Sequence, residues 1–151
     1  MKYSTKITVA LPLNEFLHKF NNTENMKHWQ KGLIAAEHIS GTPGELGSKM
    51  KLIYKLGNRV MELIETITHA NLPYELHATY TTHGLHNIQE NYFNQTEEGH
   101  TIWTSDNEFV PLSFTMKLMT KFMPSAFKKQ SLQYMVDFKN FAEKGTSVAN
   151  A

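Results

Sequence analysis

"SKMKLIYKLGNRVMELIETITHANLPYELHATYTT", residues 48–82, folds back on itself twice, and the two turns decide which side chains share a face. Gly57-Asn58 is a tight-turn pair between two runs of alternating polarity. With that pair central, Tyr54 meets Met61, Leu52 meets Leu63 and Met50 meets Glu65. With Asn71-Leu72 central in the second turn, Leu63 faces Tyr80, Glu65 faces Ala78 and Ile67 faces Leu76. Both turns select one face: Met50, Leu52, Tyr54, Met61, Leu63, Glu65, Ile67, Leu76, Ala78 and Tyr80. The opposite face carries Lys51, Lys55, Glu62, Glu75, His77 and Thr79, which suit water. The first set is expected to point inward, and one of its members is a carboxylate.

The pattern extends in both directions. "KYSTKITVAL" alternates Tyr3, Ile7 and Val9 against Lys2, Ser4, Lys6 and Thr8, which is a strand. Pro12 precedes "LNEFLHKFNN", where Leu13, Phe16, Leu17 and Phe20 recur at helical spacing. "NTENMKHW" reads as a second short helix capped by Asn22 or Thr23. Strands then return: "LIAAEHIS", the turn cluster "GTPGELG", and the segment already described. "HGLHN" leads to "IQENYFNQT", and "EEG" turns into "HTIWTSDNEFV". One N-terminal strand and six in series, joined by short connections, predict an antiparallel meander. In the last strand Trp103, Ser105, Asn107 and Phe109 form the inward candidates.

From about Phe114 the period is helical. Pro124 with Ser125 interrupts or restarts the helix, since proline donates no bond to the preceding turn. Gly145 is a plausible stop, which makes 1–145 one domain and 146–151 a tail expected to fray. Seven strands about 4.8 Å apart span roughly 29 Å, whereas a helix with its side chains is only about 10–12 Å thick. A flat sheet would be left uncovered. The α+β arrangement expected is therefore a seven-stranded curved antiparallel sheet wrapped around a long C-terminal helix, with two short helices between strands 1 and 2 closing one end. Such a sheet leaves a hollow. Met116, Met119, Met123 and Met135, with Phe122 and Phe127, are expected to face it, because methionine adapts to irregular apolar space; ordinary core filling is the other use of these residues.

Composition narrows the functions. The chain has 151 residues, 40% hydrophobic and 19% charged, which is globular. Its 15 basic and 14 acidic residues leave +1, too small a field to recruit nucleic acid by charge. Without cysteine there is no disulfide, zinc–thiolate site or cysteine nucleophile. "ITVALPL" is too short for a membrane span or a leader, so no stable membrane insertion is expected and the cytoplasm is the default compartment. "KFMPSAFKKQ" sets Lys121, Lys128 and Lys129 beside an apolar stretch, suited to lipid headgroups, though ordinarily a solvated helix face.

"ENMKHWQKGL", the G-x-P-G-x-x-G-S turn at 41–48, the E-T-I of 65–67 before a turn and proline, the G-x-T at Gly99–Thr101 and the terminal helix together resemble the START/Bet v 1-like (SRPBCC) superfamily. The resemblance is to its polyketide cyclase/dehydrase and lipid-transport group, and it spans nearly the whole chain. It implies a helix-grip fold with a hydrophobic cavity between sheet and helix. Members of that superfamily include lipid carriers, metabolite binders and a minority of cyclases or hydrolases, so the resemblance implies a binding domain more than a reaction.

Trp29, alone among Lys27, His28, Gln30 and Lys31, is expected at the cavity mouth with its ring inward; a plain core anchor is the competing role, and recognition of a protein comes third. Glu65 is the candidate acid/base: a buried carboxylate must find a partner, stay hydrated or bind a proton. The ligand-binding set expected is Trp29, Leu52, Tyr54, Leu63, Glu65, Tyr80, Trp103, Asn107, Met119, Phe122 and Met123. His69, His77, His83 and His86 lie across loops with no carboxylate at ligand spacing and no His-Glu-x-x-His element, so no metal and no cofactor is expected. The leading expectation is a binder or carrier of a small apolar or amphipathic molecule, such as a lipid, polyketide or isoprenoid. The alternatives are a cyclase, dehydratase or hydrolase using the same pocket, and a co-chaperone-like interaction module. "TEEGH", "HGLHN" and the region around Pro124 are the candidate gates.

Overall fold

The computed structural model describes residues 1–149. Its elements run β1 (Lys2–Val9), α1 (Leu13–Phe20), a single 3-10 turn (Thr23–Asn25), α2 (Met26–Trp29), β2 (Leu33–Ser40), β3 (Lys49–Leu56), β4 (Arg59–Asn71), β5 (Glu75–Thr82), β6 (Leu85–Gln95), β7 (Thr101–Pro111), α3 (Phe114–Phe122) and α4 (Pro124–Lys144). All seven strands form one antiparallel sheet in the order β1-β7-β6-β5-β4-β3-β2. This is the meander expected, with β1 added beside β7.

The first hairpin has the expected register: Leu56 pairs with Arg59, Tyr54 with Met61 and Met50 with Glu65. The second does not. Asn71 pairs with Glu75 around a three-residue connection, Leu72–Tyr74, which would put the two strands one residue out of step. A bulge between Ile67 and His69 takes up the extra residue, so that Glu65 meets Tyr80 and Ile67 meets Ala78. The partners differ from the expected ones by two positions, and a shift of two leaves each side chain on its face. The third hairpin is tighter than expected. Thr82 pairs with Leu85 across His83-Gly84, so most of "HGLHN" is strand rather than connection.

The solid core occupies one end of the molecule. Phe16 of α1, Phe93 of β6, Trp103 of β7 and Phe138 of α4 interlock there with Val9 and Met135. Phe16 packs edge-on against Phe138 with ring centres 5.0 Å apart, a favoured aromatic geometry. Met135, Phe138 and Ala142 recur at i, i+3 and i+7, which is why this face of α4 is buried. Polar clamps fix α4 along β1. Lys139 donates to the Thr8 carbonyl at 2.7 Å, the Ala10 N–H donates to Glu143 at 2.8 Å, and the Tyr3 hydroxyl donates to the Phe127 carbonyl at 3.1 Å.

Pro124 restarts the helix as expected, but the apolar arc of the preceding α3 does not face the hollow; it faces away from the body of the protein, with Phe114 75% exposed and Phe122 70% exposed. The start of the tail beyond Gly145 touches α2. The Val148 N–H donates to the His28 carbonyl at 3.0 Å, and Ser147 Oγ lies 2.8 Å from His28 Nδ1. Residues 150 and 151 of that tail lie outside the described residues. Among the described residues, no helix is long and apolar enough to cross a membrane.

Candidate functional site

Beyond the aromatic core the sheet stands away from α4 and encloses a cavity of about 700 Å³, within the range of small-molecule sites. Three surfaces enclose it. Strands β3 to β5 supply Met50, Tyr54, Met61, Leu63, Glu65 and Tyr80. Strands β6 and β7 supply Asn87, Gln89, Asn91, Trp103, Ser105 and Asn107. Helix α4 supplies Phe127, Gln130, Ser131, Tyr134 and Met135, the i, i+3, i+4, i+7, i+8 stripe of a single helical face.

The β3–β5 surface is apolar with four oxygen-bearing side chains in it, Tyr54, Glu65, Tyr80 and Thr82. Glu65 and Tyr80 stand opposite each other, and the Tyr80 hydroxyl is the hydrogen-bonding partner of the Glu65 carboxyl. Burial holds that carboxyl above the ordinary glutamate range, partly offset by the Tyr80 bond. Burial likewise pushes the Tyr80 and Tyr54 hydroxyls well up, reinforced for Tyr80 by the Glu65 charge and for Tyr54 by Tyr134 and then Glu65. Both phenols therefore stay protonated and act as hydrogen-bond donors; Tyr54 donates to Gln30 Oε1.

The β6–β7 surface is a ladder of amides and hydroxyls. Asn87 Nδ2 donates to Asn107 Oδ1 at 3.2 Å, and Asn107 Nδ2 donates to Ser105 Oγ at 3.0 Å. Gln89 Nε2 donates to the same oxygen at 3.1 Å, and Trp103 Nε1 donates to Asn91 Oδ1 at 2.9 Å. Mutual bonding lets these groups line a half-enclosed space without the cost of bare polar atoms. Among the described residues, two buried side-chain polar atoms have no hydrogen-bond partner, Trp29 Nε1 and Thr5 Oγ1; both residues line the cavity, but the two atoms themselves are closed off from it.

Of the expected ligand-binding set, Trp29, Tyr54, Leu63, Glu65, Tyr80, Trp103 and Asn107 come together around this space. Trp29 is not at a mouth. It lies deep, stacked on Phe20 at 5.6 Å and edge-on to Phe138 at 5.1 Å, so the wall role and the core role coincide in one ring. Leu52 is fully buried but lies outside the cavity wall, in a cluster with Met26 and Tyr54. Met119, Phe122 and Met123 are absent from the wall, because they belong to the outward arc of α3 and the residue that ends it. Asn87, Gln89 and Asn91 were not anticipated. Their signal was the His83-Gly84 turn, which pairs Tyr80 with Asn87 and so puts the odd-numbered side chains of β6 inside. Of the three candidate gates, "HGLHN" and the stretch after Pro124 reach the cavity rim through Leu85 and Phe127, whereas no residue of "TEEGH" lines it.

The histidines also need a correction. The β4–β5 hairpin carries Glu75 to 3.1 Å from His69 Nε2, with the His77 ring stacked 5.1 Å away on the outer face, so a carboxylate does meet two imidazoles. His77 Nδ1 accepts the Asn91 N–H at 3.1 Å. A neutral imidazole that accepts at one nitrogen carries its proton on the other, so His77 Nε2 offers no free lone pair to a cation.

No family model matches the chain, and no curated protein matches it significantly. Solved structures do. The Zhui aromatase/cyclase from Streptomyces sp. R1128 superimposes with a TM-score of 0.80 at 10% identity, covering 100% of this chain and 98% of that one. The helix-grip fold of the START/Bet v 1-like superfamily is what this chain adopts. Ara h 8.0201 shares it with a TM-score of 0.72 at 12% identity over 94% of this chain and 97% of that one. A conserved protein from Geobacillus kaustophilus does so with a TM-score of 0.78 at 12% identity, over 96% and 97%. Identities this low establish the helix-grip fold alone.

Proposed function

We propose that this helix-grip protein binds and carries a small amphipathic molecule, a lipid, polyketide or isoprenoid in kind, within the cavity between sheet and α4. The observation that supports this most is about 700 Å³ of space between the sheet and α4, walled by the apolar side chains of β3 to β5 and by the mutually bonded amides and hydroxyls of β6 and β7. Shape and the apolar surface would supply affinity; Tyr54, Glu65, Tyr80 and Asn107 would set orientation. A chain without cysteine suits the reducing cytoplasm, the compartment assigned to it in this reading.

Native mass spectrometry with organic extraction of protein purified from its own cells tests the reading. A stoichiometric co-purifying amphiphile is the expected result. Protein that is empty and takes up no apolar probe would count against it.

A second reading has one specific observation in its favour. Glu65 is a carboxyl held above its ordinary range by burial, beside a protonated tyrosine, which is the arrangement of a general acid. Its bond-making would be proton transfer to or from a carbonyl-bearing substrate. Glu65→Gln separates the readings: a carrier keeps its affinity for an apolar probe, whereas an enzyme loses turnover.

A further inference from the structure

The cavity's charge complement narrows the class of cargo. Among the described residues, no lysine, arginine or histidine lines the cavity, while two carboxylates do, Glu65 within and Glu45 at the β2–β3 turn. All the other polar side chains in the wall are amides, hydroxyls and the indoles of Trp29 and Trp103. Lys49 donates to Thr66 at 3.0 Å, and Lys139 is committed to Thr8 and Glu143. An anionic headgroup drawn into this space would find no counter-charge and would stand against the Glu65 carboxyl. Burying an unpaired ion is costly. An uncharged hydroxyl or carbonyl oxygen meets the opposite situation, since the wall offers it the neutral amides and hydroxyls of Asn87, Gln89, Ser105 and Asn107.

We infer that the cavity selects uncharged amphiphiles, and turns away fatty acids and other carboxylates, sulfonates and phosphates. This rests on the cargo-binding reading above and narrows it to a ligand class. A free carboxylic acid and an alcohol of the same skeleton would then be separated by the wall chemistry alone.

Retinol and retinoate make that comparison, having one skeleton and differing in their polar end. With ¹³C-methyl methionine labelling, Met50 and Met61 report from the cavity wall, whereas Met119 and Met123 report from the exposed surface at α3. At pH 7.5 retinol is expected to shift the Met50 and Met61 methyls with a Kd at least tenfold below that of retinoate. Retinoate reaching Met50 and Met61 as tightly as retinol would overturn the charge selection and leave the cargo-binding reading intact. Neither compound reaching the cavity methyls would overturn the cargo-binding reading and this inference with it. Gln89→Lys supplies the missing cation: in the folded variant the tenfold gap should close, and a persisting gap would overturn the attribution to charge. The wild-type comparison stands whether or not that variant folds.

Discussion

Glu65 faces Tyr80 across the β4–β5 ladder because a bulge beside Ile67 absorbs the residue that the Leu72–Tyr74 connection adds. The pair sits in the cavity wall, so the carboxyl loses hydration, an effect the Tyr80 hydroxyl offsets only in part. Its folded-state pKa is raised above the unfolded value, so the native state holds the proton more tightly. The native state is therefore favoured at low pH, and that contribution is lost as pH rises through the folded pKa. Glu65→Gln keeps an acceptor for Tyr80 and removes the ionisation. Thermal unfolding at pH 4 and pH 8 should show the variant gaining on wild type at pH 8. An equal difference at the two pH values would mean that Glu65 titrates as it does in the unfolded chain.

The two ends of the C-terminal region should respond very differently to truncation. Phe138 is fully buried among Phe16, Phe20 and Trp103, so Phe138→Ala should cost about 3–5 kcal/mol. Phe122 lies on the outward arc of α3, and Phe122→Ala should stay within about 0.5 kcal/mol. Urea denaturation midpoints measure both. A large loss at Phe122 would show that this arc is covered in solution.

Asn91 has one carboxamide oxygen serving a buried indole, accepting from Trp103 Nε1 at 2.9 Å. Asn91→Ala strands that N–H beside the core at a cost of about 1–3 kcal/mol. The Trp103 indole proton resonance should move upfield in the same variant, and a loss of stability without that shift would point to packing instead.

Gly84 couples a turn to a helix cap. Its φ of +79° costs an L side chain roughly 1–2 kcal/mol, and an added Cβ would come 2.8 Å from Ser113 Oγ. That oxygen caps α3 by accepting the Met116 N–H at 3.2 Å, a bond worth about 1 kcal/mol. Gly84→Ala should disturb the cap as well as the turn. Ser113→Ala should then add little on top of it, so the double variant should be less destabilised than the two single losses combined. Strict additivity would show that the two sites are independent.

The strand pattern, the inward face of β3 to β5 and the hollow were all legible in the sequence, because each depends on local periodicity and on the relative widths of a sheet and a helix. Glu65 was assigned to the right face although its partner was misplaced, since side-chain alternation survives a two-residue error in register. Position along the third dimension was not legible. Nothing local says that the apolar arc of 114–122 turns outward: a helix broken at Pro124 changes direction, and periodicity carries no information across the break. The inward amides of β6 were hidden for a related reason. Asn87, Gln89 and Asn91 contradict the rule that buried faces are apolar, and they are tolerated because neighbouring strands satisfy their hydrogen bonds. The meeting of His69 with Glu75, and the stranding of the Trp29 N–H, likewise follow from which chains lie side by side. Alternation along a strand is set by covalent geometry and can be read in order. Partners between strands, and polar atoms left without one, exist only once the sheet has closed around its helix.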